Sequence, residues 1–199
     1  IRIQLIDWIS NDHIPNNNSE IIYTIQLNNQ NYSQIPILKE NESSIRLTAY
    51  NVLNNGFNNE ERVDGLKNII KALNSDIFAF SECGNTTTNS IKNILDETLN
   101  LNTNEGWFVI KKNWDDLILA SRFPILDHWP NEDNGIQTMH PCLIDLPNDQ
   151  YAKDLLVINA HMSCCGSDSL RQIQADDFVN FIIDAKSEGG IIDLEENTP

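Results

Sequence analysis

Three apolar stretches of the chain each end on a polar side chain that is suited to chemistry. Residues 45–51 end on the amide of Asn51, residues 76–82 on the carboxylate of Glu82, and residues 155–161 on the imidazole of His161. In open α/β sheets, ligands bind outside the carboxyl ends of the strands. We therefore expect these three side chains to form the wall of one site.

The oxygen atoms of an amide and a carboxylate are suited to a hard divalent cation. Mg²⁺ takes oxygen ligands from a few protein groups and keeps several waters, so Asn51 and Glu82 are the candidate metal ligands. We expect Mg²⁺, with Ca²⁺ or Mn²⁺ as alternatives. Taken alone, a carboxylate at a strand end is more often simply solvated.

The candidate catalytic residues are His161 and Asn159, which are two residues apart and therefore share a strand face. An imidazole can donate a hydrogen bond to a phosphate oxygen as negative charge develops on it. Asn159 is predicted to orient His161 or to contact the phosphate. The structural alternative for His161 is a polar residue at a sheet edge, and we interpret His13, His128 and His140 as surface or packing residues.

The segments around these residues predict a strand–helix–strand unit. Residues 45–51 alternate between apolar and polar, and residues 77–80 are apolar on both faces, as in a strand that is covered on both sides. Between them, apolar residues recur at helical spacing from 63 to 73, with Asn58 and Glu61 as a capping box. This order indicates a parallel crossover.

Further along the chain, we expect a second helix capped within residues 86–88 and three strand candidates at 107–110, 117–121 and 138–146. Short connections favour antiparallel pairing of these strands. The strand at 155–161 is followed by a long helix, whose predicted apolar side contains Leu170, Ile173, Phe178, Phe181, Ile182 and Ala185. The predicted fold class is α/β, with a mixed sheet and flanking helices.

Length and charge limit the domain organisation and the class of partner. The 199 residues suffice for one domain with an appendage, and we predict a β-rich appendage and linker at 1–44 followed by a catalytic region at 45–199. The net charge of −16 without a basic run disfavours a non-specific nucleic-acid binder. No apolar run is long enough for a transmembrane segment, and the first residues do not have the pattern of a signal peptide.

The four cysteines leave several alternatives open. No Cys-x-x-Cys pair is present, which argues against a structural zinc site. A disulfide between Cys83 and either Cys164 or Cys165 is one alternative, and plain buried thiols are the other. A thiol-based activity at Cys164 or Cys165 is a minor hypothesis, because no base is paired with either in the sequence. The β-rich leader and the cysteine pair lean toward a secreted location.

The order of the motifs resembles the endonuclease/exonuclease/phosphatase superfamily of Mg²⁺-dependent phosphoesterases. The segments that carry this resemblance are Leu47-Thr-Ala-Tyr-Asn51, Asp76-Ile-Phe-Ala-Phe-Ser-Glu82, Ile118-Leu-Ala-Ser-Arg-Phe-Pro-Ile125, Val157-Ile-Asn-Ala-His161 and Arg171-Gln-Ile-Gln174. The resemblance implies that Asn51 helps to position metal and phosphate, that Glu82 is a metal ligand and that His161 contacts the scissile phosphate. It also implies the first half of a four-layer α/β/β/α sandwich.

The chain departs from this family at two points. A Gln commonly precedes the family's Glu, whereas Ser81 precedes Glu82 here. The family's later Gly-Asp-x-Asn and Ser-Asp-His motifs, which supply the water-activating carboxylate and a second histidine, do not occur in this sequence. We therefore expect an N-terminal part of the catalytic domain, inactive alone, whose partner is the missing C-terminal half.

Two further residue sets have competing interpretations. Arg171 and Gln174 share a helix face and are interpreted as a solvated or sheet-tethering polar pair, and Arg122 is a surface arginine or a contact for an anionic ligand. For the whole chain, the predicted function is hydrolysis of a phosphoester in a nucleic acid, a nucleotide or a phospholipid headgroup. The alternative function is a non-catalytic binding or adhesion module that retains the same fold.

Overall fold

The computed structural model describes residues 39, 41, 43–101, 106–112, 116–129, 139–189 and 194. These residues form three α-helices and seven strands arranged in two sheets, so the chain has the mixed α/β content predicted from its sequence. Most of the appendage predicted at 1–44 lies outside the described residues. Within the described part of the chain, no helix is both long and apolar enough to span a membrane.

The first sheet contains the two strands that end at Asn51 and next to Glu82. Its strands are β1 (Leu47–Asn51), β2 (Ile77–Ser81), β3 (Phe108–Lys111) and β4 (Ile118–Ser121), in the order β1-β2-β4-β3. β1 and β2 are parallel, whereas β2 pairs with β4 and β3 with β4 in antiparallel fashion. The predicted parallel crossover is therefore confirmed, and so is the antiparallel pairing of β3 with β4.

The second sheet is antiparallel and contains β5 (Ile125–His128), β6 (Met139–Ile144) and β7 (Leu155–Ala160). The first sheet is the mixed sheet that was predicted, but β5 to β7 are separate from it and form a sheet of their own. β5 was not predicted from the sequence. It is short, two of its four residues are exposed, and its pairing with β6 is irregular between Ile125 and Asp127. A strand that is this short and this exposed has too little alternation of apolar and polar residues to be recognised from the sequence.

Three apolar clusters hold these elements together. The first lies between one face of the first sheet and the helices α1 (Val63–Leu73) and α2 (Thr88–Thr98), and includes Phe78 and Phe80. The second lies between the two sheets and includes Ile77, Ala79, Leu119, Cys142, Ile144 and Val157. The third packs α3 (Asp168–Ala185) on the second sheet through Phe181 and Ala185. Alternate residues of β2 thus face different clusters, as the strand pleat requires.

The helix starts agree with the prediction in one case and differ in another. Thr87 caps α2, because its side chain accepts a hydrogen bond from the backbone N–H of Ser90. The capping box predicted at Asn58 was wrong: Asn58 belongs to a short 3-10 turn, and α1 begins at Val63 without a side-chain cap. Arg62 instead donates to the backbone oxygens of the loop after β1, which holds the start of α1 against that loop.

The apolar side predicted for α3 is only partly correct. Phe181 and Ala185 are buried, but Leu170, Ile173 and Phe178 have exposed fractions between 38% and 55%. Gln174 is buried instead. Apolar residues occur around the whole circumference of this helix, so only part of them can face the sheet.

Candidate active site

The pairing of β1 with β2 brings Asn51 and Glu82 together. In the parallel register Asn51 is the partner of Ser81, the last residue of β2, and Glu82 follows directly. The Asn51 side-chain amide Nδ2 donates a hydrogen bond to Glu82 Oε1 at 2.8 Å. The two predicted metal-ligand candidates are therefore neighbours, with the nitrogen of the amide toward the carboxylate.

The loop after β1 completes the surroundings of Glu82. The backbone N–H of Asn54 donates to Glu82 Oε2 and that of Asn55 donates to the Glu82 backbone oxygen, each at 2.8 Å. The N–H of Leu53 donates to Asn51 Oδ1 at 2.8 Å, which fixes the orientation of the amide. Leu53, Asn54 and Asn55 all have positive φ, and this uncommon backbone run turns successive N–H groups toward the end of β2.

These hydrogen bonds set the charge state of Glu82. The Asn51 side chain, followed by the Asn54 backbone N–H, stabilises the carboxylate form and lowers the pKa of Glu82 below its ordinary value. Partial burial opposes this effect, and the positive charges of His161 and Arg62 lower the pKa of Glu82 slightly further. Glu82 is therefore an ionised oxygen donor at neutral pH.

His161 lies between two carboxylates. Its Nε2 is 3.6 Å from Glu82 Oε1, and its Nδ1 is 3.5 Å from Asp116 Oδ2. The exposed fractions of the three side chains are 35%, 22% and 30% for His161, Glu82 and Asp116, so the cluster is open to solvent on one side. The structure thus brings together all three residues that end the apolar stretches.

Asp116 was not identified from the sequence. It stands just before β4, and its backbone oxygen accepts a hydrogen bond from the N–H of Cys83 at 2.9 Å. Because β4 runs antiparallel to β2, the start of β4 lies at the end of β2. The signal in the sequence is a carboxylate directly before a strand. It becomes informative only when that strand is known to pair with β2.

Asn159 is placed as a link between the two sheets. It is buried on the face of β7 that packs on the first sheet, where its Nδ2 donates to Phe80 O at 2.9 Å and to Ile118 O at 3.2 Å. These oxygens belong to the central strands β2 and β4. Asn159 therefore positions β7, and with it His161, while its contact with phosphate stays a prediction.

Arg171 and Gln174 hold the loop that follows His161. Gln174 accepts from the N–H of Ser163 at 3.0 Å and donates to Ser163 Oγ at 2.9 Å. Arg171 Nη1 donates to the backbone oxygens of Ser163 and Cys165 at 3.1 and 2.9 Å. The preferred interpretation of this pair was a solvated or sheet-tethering one, whereas both side chains bind the loop between β7 and α3.

Arg122 and the remaining histidines lie elsewhere. Arg122 donates to Ser75 O at 3.2 Å and lies 3.8 Å from the carboxylate of Asp76, so it ties the ends of two strands. His128 Nδ1 is 3.0 Å from the Nε2 of buried His140, as expected for packing residues. The interpretation of His13 lies outside the described residues.

The disulfide that was one alternative for Cys83 is absent, and the other alternative, plain buried thiols, describes Cys83 and Cys142 only. All four cysteines are free, with Cys83 and Cys142 buried and Cys164 and Cys165 exposed. The Cys83 side chain packs in the cluster between the helices and the first sheet. Burial raises the pKa of Cys83 and of Cys142 to about 12, which keeps both thiols protonated and unreactive.

The oxygen atoms around Glu82 suit a hard cation that keeps most of its waters better than a cation whose ligands all come from the protein. Within the described residues, no group of three or more His, Cys, Asp or Glu side chains could hold a metal ion. Mg²⁺ commonly uses one or two carboxylates and keeps its waters, which the single ionised carboxylate of Glu82 allows. A depression of about 550 Å³, lined by Asn54, Asn55, Asn58, Asn59, Glu60 and Glu61, begins at the loop that contacts Glu82.

Comparison of the chain with protein-family models finds no match, and comparison with curated proteins finds none. The roles of the site residues are therefore inferred from motif order and from the geometry of Glu82, His161 and their neighbours.

We expect Asn51→Ala to raise the pKa of Glu82 toward its ordinary value of 4.5, because the largest favourable contact is removed. A carbon-detected NMR titration of the Glu82 carboxyl measures this shift. The folded pKa is depressed, so Glu82 stabilises the fold above the unfolded pKa and loses this contribution as the pH falls through the folded value. Asn58→Ala, at the exposed last residue of the 3-10 turn, is the control, and an unchanged Glu82 pKa in Asn51→Ala would contradict the assigned contact.

Asn159→Ala is expected to lower the free energy of unfolding by about 1–3 kcal/mol, since two carbonyl oxygens at the centre of the domain lose a buried donor. His161→Ala should change it by only about 0.5 kcal/mol, because the imidazole is partly exposed. Urea denaturation of both variants gives the comparison. Equal stability of the two variants would remove Asn159 as the link between the sheets.

Proposed function

We propose that this chain provides the metal- and phosphate-binding half of a Mg²⁺-dependent phosphoester hydrolase of the endonuclease/exonuclease/phosphatase type. The observation that carries the proposal is an ionised carboxylate, Glu82, held by Asn51 and by the Asn54 N–H, with the Nε2 of His161 at 3.6 Å. Strand ends from both sheets contribute to this arrangement. The motif order in the sequence is consistent with it.

The packing of the layers supports a finer fold assignment. The helices α1 and α2 pack on the first sheet, the first sheet packs on the second, and α3 packs on the second sheet. This order agrees with an α/β/β/α sandwich. We propose that the described residues form the first half of such a four-layer domain.

Glu82 is the residue that would hold the cation, and Asn51 would orient it. The Asn51 amide is engaged at both ends, with its nitrogen on Glu82 and its oxygen on the Leu53 N–H, so its first role is to fix the carboxylate. Asn51 Oδ1 remains the second candidate ligand. When bound, Mg²⁺ supplies polarisation of the phosphate and stabilisation of the leaving oxygen.

His161 would contact the phosphate through Nε2. Asp116 lies at Nδ1, which leaves Nε2 on the side of Glu82. A phosphate oxygen held next to Glu82 is then within reach of a hydrogen bond from this nitrogen. Such a donor stabilises the charge that develops on the phosphate in the transition state. Asn159 supports the arrangement by holding β7 on the first sheet.

Hydrolysis also requires a group that activates water. In the family that this chain resembles, that task falls to the Gly-Asp-x-Asn aspartate, and the motif does not occur in this sequence. We propose that the general base and the second histidine come from a C-terminal half of the domain, in the same polypeptide or in another chain. Glu82 is unsuited to the task, because its lowered pKa makes it a weak base.

A non-catalytic binding module is the second candidate. It is favoured by one observation, namely that both carboxylate oxygens of Glu82 already accept hydrogen bonds from the chain itself, one from Asn51 Nδ2 and one from the Asn54 N–H. Such a module would keep the hydrogen bonds around Glu82 for stability alone. Cation binding separates the two functions.

Mn²⁺ added to the isotope-labelled chain should broaden the NMR signals of Asn51, Asn54 and Glu82, because these residues surround the proposed cation position. Glu82→Gln should abolish this local broadening. Glu97→Gln is the matched control, since Glu97 is an exposed carboxylate that pairs with Lys67 on the helices. Broadening that is unchanged in Glu82→Gln, or absent in the unmodified chain, would favour the binding module.

The 199-residue chain alone should show no Mg²⁺-dependent hydrolysis of a chromogenic phosphodiester, because it lacks the water-activating carboxylate. A polypeptide that also contains the Gly-Asp-x-Asn and Ser-Asp-His motifs should turn the substrate over. In that protein His161→Ala should reduce kcat by roughly 10²–10³-fold, as for the loss of one transition-state donor. Turnover by the 199 residues alone, or full activity in His161→Ala, would contradict these roles.

A further inference from the structure

Two adjacent cysteines stand on the loop that follows His161. Cys164 and Cys165 are both exposed and free, and their Sγ atoms are 2.7 Å apart. Cys165 has a positive φ, a conformation that is uncommon for a residue with a side chain. The backbone at this point therefore holds two neighbouring thiols on the same side of the loop.

Two side chains of α3 hold the loop that carries the pair. Gln174 binds the N–H and the hydroxyl of Ser163, the residue before the pair. Arg171 donates to the backbone oxygen of Ser163 and to that of Cys165. Both partners belong to α3, so a regular helix fixes the backbone on which the two thiols stand.

This geometry is close to that of a disulfide. A disulfide has an S–S distance of about 2.05 Å, so the two sulfur atoms need to approach by less than about 1 Å. The Cα atoms of adjacent residues are about 3.8 Å apart across a trans peptide, which is shorter than the usual disulfide range of about 4.4–6.8 Å. A bond between them would be strained, and strained exposed disulfides are the ones that are readily reduced.

We propose that Cys164 and Cys165 form a reversible oxidation site, which closes to a vicinal disulfide by exchange with a low-molecular-weight disulfide such as oxidised glutathione. In the first step one protein thiolate attacks a sulfur of oxidised glutathione and expels one glutathione thiol, leaving a mixed disulfide. The second cysteine then attacks the protein sulfur of that mixed disulfide and expels the second glutathione. Two protein thiols are oxidised, one glutathione disulfide is reduced to two thiols, and the two protons end on the released thiols.

Either sulfur can make the first attack, because both thiols are exposed and free. The separation of 2.7 Å between the two Sγ atoms then places the other thiol next to the mixed disulfide that it resolves. The proximity of the second thiol makes this resolving step intramolecular.

The other two cysteines differ from this pair in solvent exposure, and their pKa values are raised by burial. Cys83 and Cys142 are buried, and burial raises the pKa of each to about 12. They are therefore expected to stay reduced under the same conditions. Within one chain, two cysteines serve as the test pair and two as internal controls.

A consequence for the active site rests on the function proposed above. Only Met162 and Ser163 separate His161 from the pair. Arg171 donates a hydrogen bond to the backbone oxygen of Cys165. Closure of the ring would move this oxygen, and the conformation of the loop that follows His161 would change with it. Oxidation is then expected to lower any activity that depends on His161.

The test is peptide mapping after exposure of the folded chain to oxidised glutathione. The remaining thiols are alkylated under denaturing conditions, and trypsin then releases residues 154–171, which contain Cys164 and Cys165 and no other cysteine. This peptide should be unalkylated and lighter than its reduced form by two hydrogen atoms, while the peptides with Cys83 and Cys142 should be alkylated. Dithiothreitol should restore two alkylation sites in peptide 154–171.

The variants Cys164→Ser and Cys165→Ser distinguish ring closure from other reactions. Both positions are exposed, so the fold should be retained. Cys165→Ser should accumulate one glutathione on Cys164, because the resolving thiol is absent. Two glutathiones or two alkyl groups on peptide 154–171 of the unmodified chain, or disulfide-linked dimers, would overturn the proposal. These measurements involve no catalysis, so they remain valid if the proposed hydrolase function fails.

Discussion

The hydrogen bonds that gather on Glu82 are the constraint on which the rest of the site depends. An amide from the end of β1 and an N–H from the following loop bind the two carboxylate oxygens, and a second N–H binds the backbone oxygen of the same residue. These contacts exist because β1 and β2 are parallel and in register, so that their carboxyl ends coincide. A shift of this register by one residue would turn every side chain of the shifted strand to the opposite face.

His161 reaches this cluster from the second sheet, which makes the site dependent on how the sheets pack. The apolar cluster between the sheets provides the attraction, but apolar contacts are not directional. The Asn159 amide adds direction, since it binds backbone oxygens of β2 and β4 at fixed positions. One buried polar side chain thus sets the position of β7 relative to Glu82, and α3 holds the loop beyond it through Arg171 and Gln174.

Local sequence patterns predicted the elements well where one signal dominated. The run of apolar residues in β2 and the Thr87 cap of α2 are such cases, and both were confirmed. Prediction was wrong where local signals competed. Asn58 had the spacing of a capping box, but Arg62 contacts with the loop after β1 start the helix later. In α3, apolar residues surround the helix, so the sequence could not identify the buried face.

The sequence by itself determined which polar residues end the three apolar stretches, because apolar runs and the polar residues that stop them are local properties of the chain. Asn51, Glu82 and His161 could therefore be named together before any coordinates. Only the tertiary structure decided how their atoms meet: the amide nitrogen of Asn51 faces Glu82, Asp116 lies at the other side of the imidazole, and Asn159 points between the sheets. These relations depend on strand pairing and sheet packing between residues far apart in sequence, and no local pattern encodes them.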